Sequence, residues 1–132
     1  MSLGNKKRIL VVDDNPADLT KLSDDFAEDY DVVTAESGEE AVEILGDPVR
    51  GDVCFSNQFD VIVTDLMMPG ISGFGLADYV RKRNKANKFT PVILLTTEKV
   101  SKEEARKHGC SAYFSKADKQ RLISMVSILL SF

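Results

Sequence analysis

The sequence predicts an α/β domain: a parallel sheet covered on both faces by helices. Two observations predict it. Short apolar runs rich in β-branched residues alternate with stretches of helical periodicity along the chain. Four of the five predicted strands also end in polar, reactive residues, Asp13-Asp14, Asp65, Thr96 and Lys116. Open parallel sheets gather such residues along one edge, at the carboxyl ends of the strands. At 132 residues the chain fits one domain with a sizeable core.

Arg8–Val12 reads as a buried strand, followed by Asn15 as helix N-cap and Pro16 at the first helical position. Leu19, Leu22 and Phe26 carry that helix to about Asp29. Asp31–Ala35 is a second strand. Ser37 with Glu40 forms a capping box that opens a helix bearing Ala41, Ile44 and Leu45. Gly46-Asp47-Pro48 stops it, and Val49–Gln58, with Gly51, Cys54 and Phe55, is an irregular connection read as a surface insertion.

Phe59–Thr64 is the strand that delivers Asp65 into a Pro69-Gly70 turn. Ser72 caps the next helix, which uses Leu76, Tyr79 and Val80. It ends in Arg81-Lys82-Arg83, where cations complement the helix dipole. Pro91 opens the strand Val92–Leu95, which ends at Thr96-Thr97-Glu98. Ser101 with Glu104 opens a fourth helix that Gly109 ends. Ser111–Ser115 is a fifth strand ending at Lys116, and Asp118 caps a last helix to about Ser131. On that helix Leu122, Met125, Val126 and Leu129 face the sheet. Ile123, Ile128, Leu130 and Phe132 lie beyond that stripe, as a partner or dimer surface or as the margin of a broad core face.

Composition narrows the function. The net charge of −4 argues against a nucleic-acid-binding module, which needs a basic face. No apolar run approaches the roughly 20 residues that span a bilayer, and no signal peptide is visible. Cys54 and Cys110 lack metal-ligand or redox spacing and read as reduced thiols of a cytoplasmic protein. Residues 1–7 are expected to be a disordered or cloning-derived terminus ahead of a domain at 8–132.

The strand-end residues carry the chemistry. Three carboxylates in one place repel, and a hard cation relieves them; Mg²⁺ prefers oxygen ligands. Asp13, Asp14 and Asp65 are the candidate metal ligands, Asp14 and Asp65 foremost, with the backbone carbonyl of Met67 completing the set. A carboxylate beside a metal and a lysine is a plausible nucleophile toward phosphorus. Mg²⁺, Lys116 and the Thr96 hydroxyl would then each hold one phosphoryl oxygen.

With Asp13-Asp14 after the first strand, Asp65-x-x-Met68-Pro69-Gly70-x-x-Gly73 after the third, Thr96 after the fourth and Lys116 after the fifth, the chain resembles a response-regulator receiver domain of two-component signalling. The resemblance runs from Arg8 to about Phe132. It implies a flavodoxin-like, doubly wound five-stranded sheet in the order 2-1-3-4-5. It implies that Asp65 accepts a phosphoryl group from a histidine kinase or histidine phosphotransfer protein, and that Thr96 and Tyr113 form a switch pair. Phosphorylation would bias a surface of the fourth helix, fifth strand and fifth helix toward a downstream effector or self-association, with no substrate turnover of the domain's own.

Two features depart from that pattern: Ala117 stands where the family usually has proline, and the 49–58 connection is long. Met67 occupies a position that varies in the family, where an apolar side chain is expected to shield the phosphoryl group from water. It also argues against a haloacid-dehalogenase-type phosphatase, which needs a second Asp there. Ala117 keeps open a degenerate, phosphate-independent interaction module. The chain ends with the domain, as a stand-alone regulator or a piece of a larger protein would.

Overall fold

Residues 6–46 and 58–131 are described by a computed structural model. The five predicted strands form one parallel sheet: β1 (Arg8–Val12), β2 (Asp31–Ala35), β3 (Val61–Thr64), β4 (Val92–Thr96) and β5 (Ala112–Ser115). Their order is β2-β1-β3-β4-β5, as the resemblance implied. The helices are α1 (Pro16–Ala27), α2 (Gly38–Leu45), α3 (Gly73–Arg83), α4 (Lys102–Lys107) and α5 (Lys119–Leu129).

Side-chain alternation along the strands divides the core in two. Ile9, Val11, Val61, Val63, Ile93 and Leu95 pack with Leu19, Leu22 and Phe26 of α1 and Leu122 and Val126 of α5. Leu10, Val12, Ile62, Val92 and Leu94 pack with residues of α2, α3 and α4. Both faces are therefore covered, which is why β3 and β4 are fully buried runs rather than alternating ones.

Four of the five predicted N-caps form. Asn15 Oδ1 accepts the N–H groups of Ala17 (3.0 Å) and Asp18 (3.1 Å). Ser37, Ser72 and Ser101 accept from Glu40, Gly75 and Glu104. A side-chain cap of this kind stabilises a helix by about 1 kcal/mol.

Several boundaries move. Phe59 is buried but lies outside β3. Its N–H donates to Asn87 Oδ1 (2.8 Å) and its carbonyl accepts the Thr90 hydroxyl (3.0 Å), so side chains hold it in place of a strand ladder. Lys116–Asp118 forms a 3₁₀ turn before α5, with Ser115 Oγ accepting the Ala117 N–H at 3.2 Å. Asp118 sits at the N-cap of α5 but makes no capping hydrogen bond, because its backbone is still in that turn. On α5, Ile123 and Leu130 join the core edge with Met125 and Leu129, whereas Ile128 is 66% exposed. The arc beyond the stripe is thus in large part core margin. The Met1–Gly4 start, Asp47-Pro48, the 49–57 part of the long connection and Phe132 lie outside the described residues.

Candidate functional site: an acidic pocket at the carboxyl edge of the sheet

Strand register builds the site. Val12 of β1 is level with Thr64 of β3, and the Asp65 N–H donates to the Val12 carbonyl at 2.9 Å. Asp13 and Asp65 therefore leave neighbouring strands at the same height. Thr96 and Ser115 are paired on β4 and β5, so Lys116 leaves the sheet beside them. Asp13, Asp14 and Asp65 each offer an oxygen, all within 4.8 Å of one another; Asp13 and Asp65 are buried and Asp14 is exposed. An all-oxygen, three-carboxylate set suits a hard divalent cation such as Mg²⁺.

Lys116 reaches into this cluster. Its Nζ donates to Asp13 Oδ2 at 2.8 Å, to Asp18 Oδ2 at 2.9 Å and to Asp65 Oδ2 at 3.3 Å. Among the described residues no peptide bond is cis, so Lys116–Ala117 is trans, and the lysine still points at Asp65. Burial works against the Lys116 charge, but the hydrogen bonds to Asp13 and Asp18 and the charges of Asp13 and Asp65 outweigh it, and its pKa rises. Asp13 also titrates above its ordinary value. Its burial outweighs the hydrogen bonds from Lys116 and the Asn15 N–H, and the Asp65 charge adds to the rise.

The loop after β3 is tightly placed. Asp65 Oδ1 accepts the Leu66 N–H at 2.7 Å, and the Gly73 N–H returns to the Leu66 carbonyl at 2.8 Å. A Cβ at Gly73 would collide with the Asp65 carbonyl oxygen and the Leu66 Cα, so only glycine lets α3 begin this close to Asp65. Gly70 has φ +76°, a conformation that side chains disfavour. Leu66 and Met68 turn into the core while the Met67 side chain is 61% exposed.

Among the described residues neither Thr96 nor Tyr113 hydrogen-bonds to these carboxylates. The buried Thr96 hydroxyl accepts the Glu98 N–H at 3.1 Å, and Tyr113 is half-buried against the core on the α2–α4 face. Asp18 escapes the sequence reading. Its signal was its place in the first turn of the helix that follows Asp13-Asp14, where an acidic residue also reads as dipole compensation.

The family model for the response regulator receiver domain matches residues 9–127. The chain belongs to the response-regulator receiver domain family. Protein PilH of Pseudomonas aeruginosa is 27% identical, over 94% of this chain and 98% of its own length. A probable transcriptional regulator, ycf29 of Pyropia yezoensis, is 30% identical over 92% of this chain, which spans 53% of that relative. The chain thus spans about half the length of that relative, and a matching segment makes up only 9% of the sensor histidine kinase TmoS of Ectopseudomonas mendocina. Among solved structures, chemotaxis protein CheY4 of Vibrio cholerae superposes with a TM-score of 0.77 at 29% identity, covering 95% of this chain and 99% of that one. Response regulator TrrA of Thermotoga maritima, solved in complex with Mg²⁺-BeF, gives 0.76 at 34% identity over 94% of this chain and 99% of that one. Receiver domains are signalling modules of two-component systems, and this one carries the acidic pocket of the family on a flavodoxin-like sheet. Among the described residues no helix is long and apolar enough to cross a membrane.

Proposed function

We propose that this receiver is a phosphoacceptor switch in a cytoplasmic His-Asp phosphorelay, with Asp65 as the acceptor. The observation that carries the reading is the Asp65 carboxylate, grouped with Asp13 and Asp14 and faced by Lys116 Nζ at 3.3 Å. An Asp65 oxygen attacks the phosphorus of a phosphohistidine on a histidine kinase or phosphotransfer protein. The new O–P bond forms as the P–N bond breaks, and the imidazole keeps the electron pair and takes up a proton. Asp13, Asp14, Asp65 and the Met67 carbonyl would hold Mg²⁺, which supplies charge neutralisation for the transferring group.

Lys116 and the Thr96 hydroxyl are assigned to the phosphoryl oxygens. Thr96 then exchanges its present bond to the Glu98 N–H, and Tyr113 responds on the face formed by α4, β5 and α5. That face is assigned to the downstream partner, an effector or a second copy of the chain. Met67, exposed beside the acceptor, is assigned the shielding of the phosphoryl group from water.

Incubation with acetyl phosphate and Mg²⁺, followed by intact mass, tests the reading. A gain of one phosphoryl group that Asp65→Asn abolishes supports it. No gain in the wild-type protein would favour the phosphate-independent module, and steady release of phosphate from small esters would favour a phosphatase.

A further inference from the structure

The Lys116 ammonium has three N–H donors, and three carboxylates take them. Asp13 and Asp65 belong to the cluster that suits a cation, and each uses its other oxygen on a backbone N–H, of Asn15 at 2.9 Å and of Leu66 at 2.7 Å. Asp18 lies outside that cluster. It projects from the first turn of α1, its own N–H is fixed by Asn15 Oδ1, and its side chain is 41% exposed. Its distance to Lys116, 2.9 Å, is shorter than that from Lys116 to the acceptor, 3.3 Å.

We propose that Asp18 is the positioning residue for Lys116, the anchor that keeps its ammonium beside Asp65 when Asp13 and Asp65 are engaged by the cation and the phosphoryl group. This rests on the phosphoacceptor reading above. The chain after Lys116 shows why an anchor on α1 matters. Residue 117 is Ala, its peptide bond is trans, and it enters a 3₁₀ turn held by the exposed Ser115. Lys116 carries its charge on a flexible four-carbon stem, so its tip is placed by what it bonds. Asp18 does this from a helix whose start is locked by Asn15 and Pro16.

The test compares wild type, Asp18→Asn, Asp18→Glu, Lys116→Met and the Asp18→Asn/Lys116→Met double variant. Circular dichroism verifies that each is folded, and intact mass follows phosphoryl uptake from acetyl phosphate with Mg²⁺. Asp18→Asn keeps the shape and removes the charge, and uptake should slow by roughly tenfold, the scale of one charge-assisted hydrogen bond. Asp18→Glu should recover part of the rate. In the Lys116→Met background Asp18→Asn should add no further loss. In metal-free protein, the ¹H–¹⁵N signal of the Lys116 ammonium should be visible in wild type and lost to fast exchange in Asp18→Asn. Equal uptake rates for wild type and Asp18→Asn overturn the assignment, as does an additive loss in the double variant. Those outcomes leave Asp65 as acceptor; absence of uptake by wild type removes both readings together.

Discussion

Replacing Lys116 with methionine keeps most of the unbranched side chain and deletes its charge. The side chain of Lys116 is 19% exposed, and those of Asp13 and Asp65 are 9% and 10% exposed. Breaking a buried pair by removing one partner costs about 3–5 kcal/mol. Here the third partner, Asp18, is 41% exposed and the pocket opens to solvent, so screening reduces the cost to about 2 kcal/mol. For a domain of this size that is a fall in Tm of roughly 6–10 °C. The loss must depend on pH. The carboxylates left without an ammonium are relieved by protonation, so the gap between wild type and variant should narrow as the buffer moves from pH 7.5 toward pH 4.5. Thermal unfolding by circular dichroism at both values measures it. An unchanged Tm at pH 7.5, or an equal gap at both values, would refute the picture of Lys116 as the cation that makes these carboxylates tolerable.

Four further outcomes follow from the same geometry. Gly73→Ala forces a methyl group into the Asp65 carbonyl and Leu66 backbone, and urea unfolding should report a loss of about 1–3 kcal/mol. Asp13 has its folded pKa raised, so its stabilising contribution is full below the ordinary value of 3.8 and is lost as pH rises through the folded value. Asp13→Asn should therefore raise Tm at neutral pH, and the gain should vanish in acid. Mg²⁺ at ten times its Kd should stabilise the wild-type domain by about 1.4 kcal/mol, chelation should remove that increment, and Asp14→Asn should abolish it. On phosphorylated protein, Met67→Asn should shorten the half-life of the acyl phosphate, and an unchanged half-life would remove the shielding role.

The strands, four of the five helix caps and the strand-end carboxylates were legible because each rests on a local signal, whereas the strand order came only from the family resemblance. A β-branched run, a Ser or Asn three residues before its partner N–H, and an Asp just past a strand can all be read without knowing what packs where. What could not be read depends on distant partners. Phe59 looks like strand from its neighbours, yet Asn87 and Thr90, 28 and 31 residues away, hold its backbone. Ile123 and Leu130 fall off the ideal helical stripe, yet both pack against the core cluster that α1 and α5 share with the sheet. Asp18 sits 98 residues from Lys116, and its sequence context supports a dipole role as well as a site role. With alanine at 117 and a trans bond before it, it is the distant ion pairs to Asp13, Asp18 and Asp65 that aim the Lys116 ammonium.

The pocket also gives the proposed switch a physical starting point. One ammonium balances part of the charge of three nearby carboxylates and a fourth on α1, so the resting site is electrostatically lopsided. Any group that adds charge at Asp65 must redistribute the bonds of Lys116, because its three donors are already in use. Lys116 directly follows the strand that carries Tyr113, and Tyr113 lines a cavity of about 550 Å³ with Lys102, Arg106 and Arg121. β5 is an edge strand and is only half-buried along Ala112–Phe114, whereas β4 beside it is fully buried. The less buried of these two strands is thus the one that joins the charged pocket to the face lined by Tyr113. A change of charge at Asp65 is then expected to register on the α4–β5–α5 side, while the β1–β3–β4 centre of the sheet stays fixed.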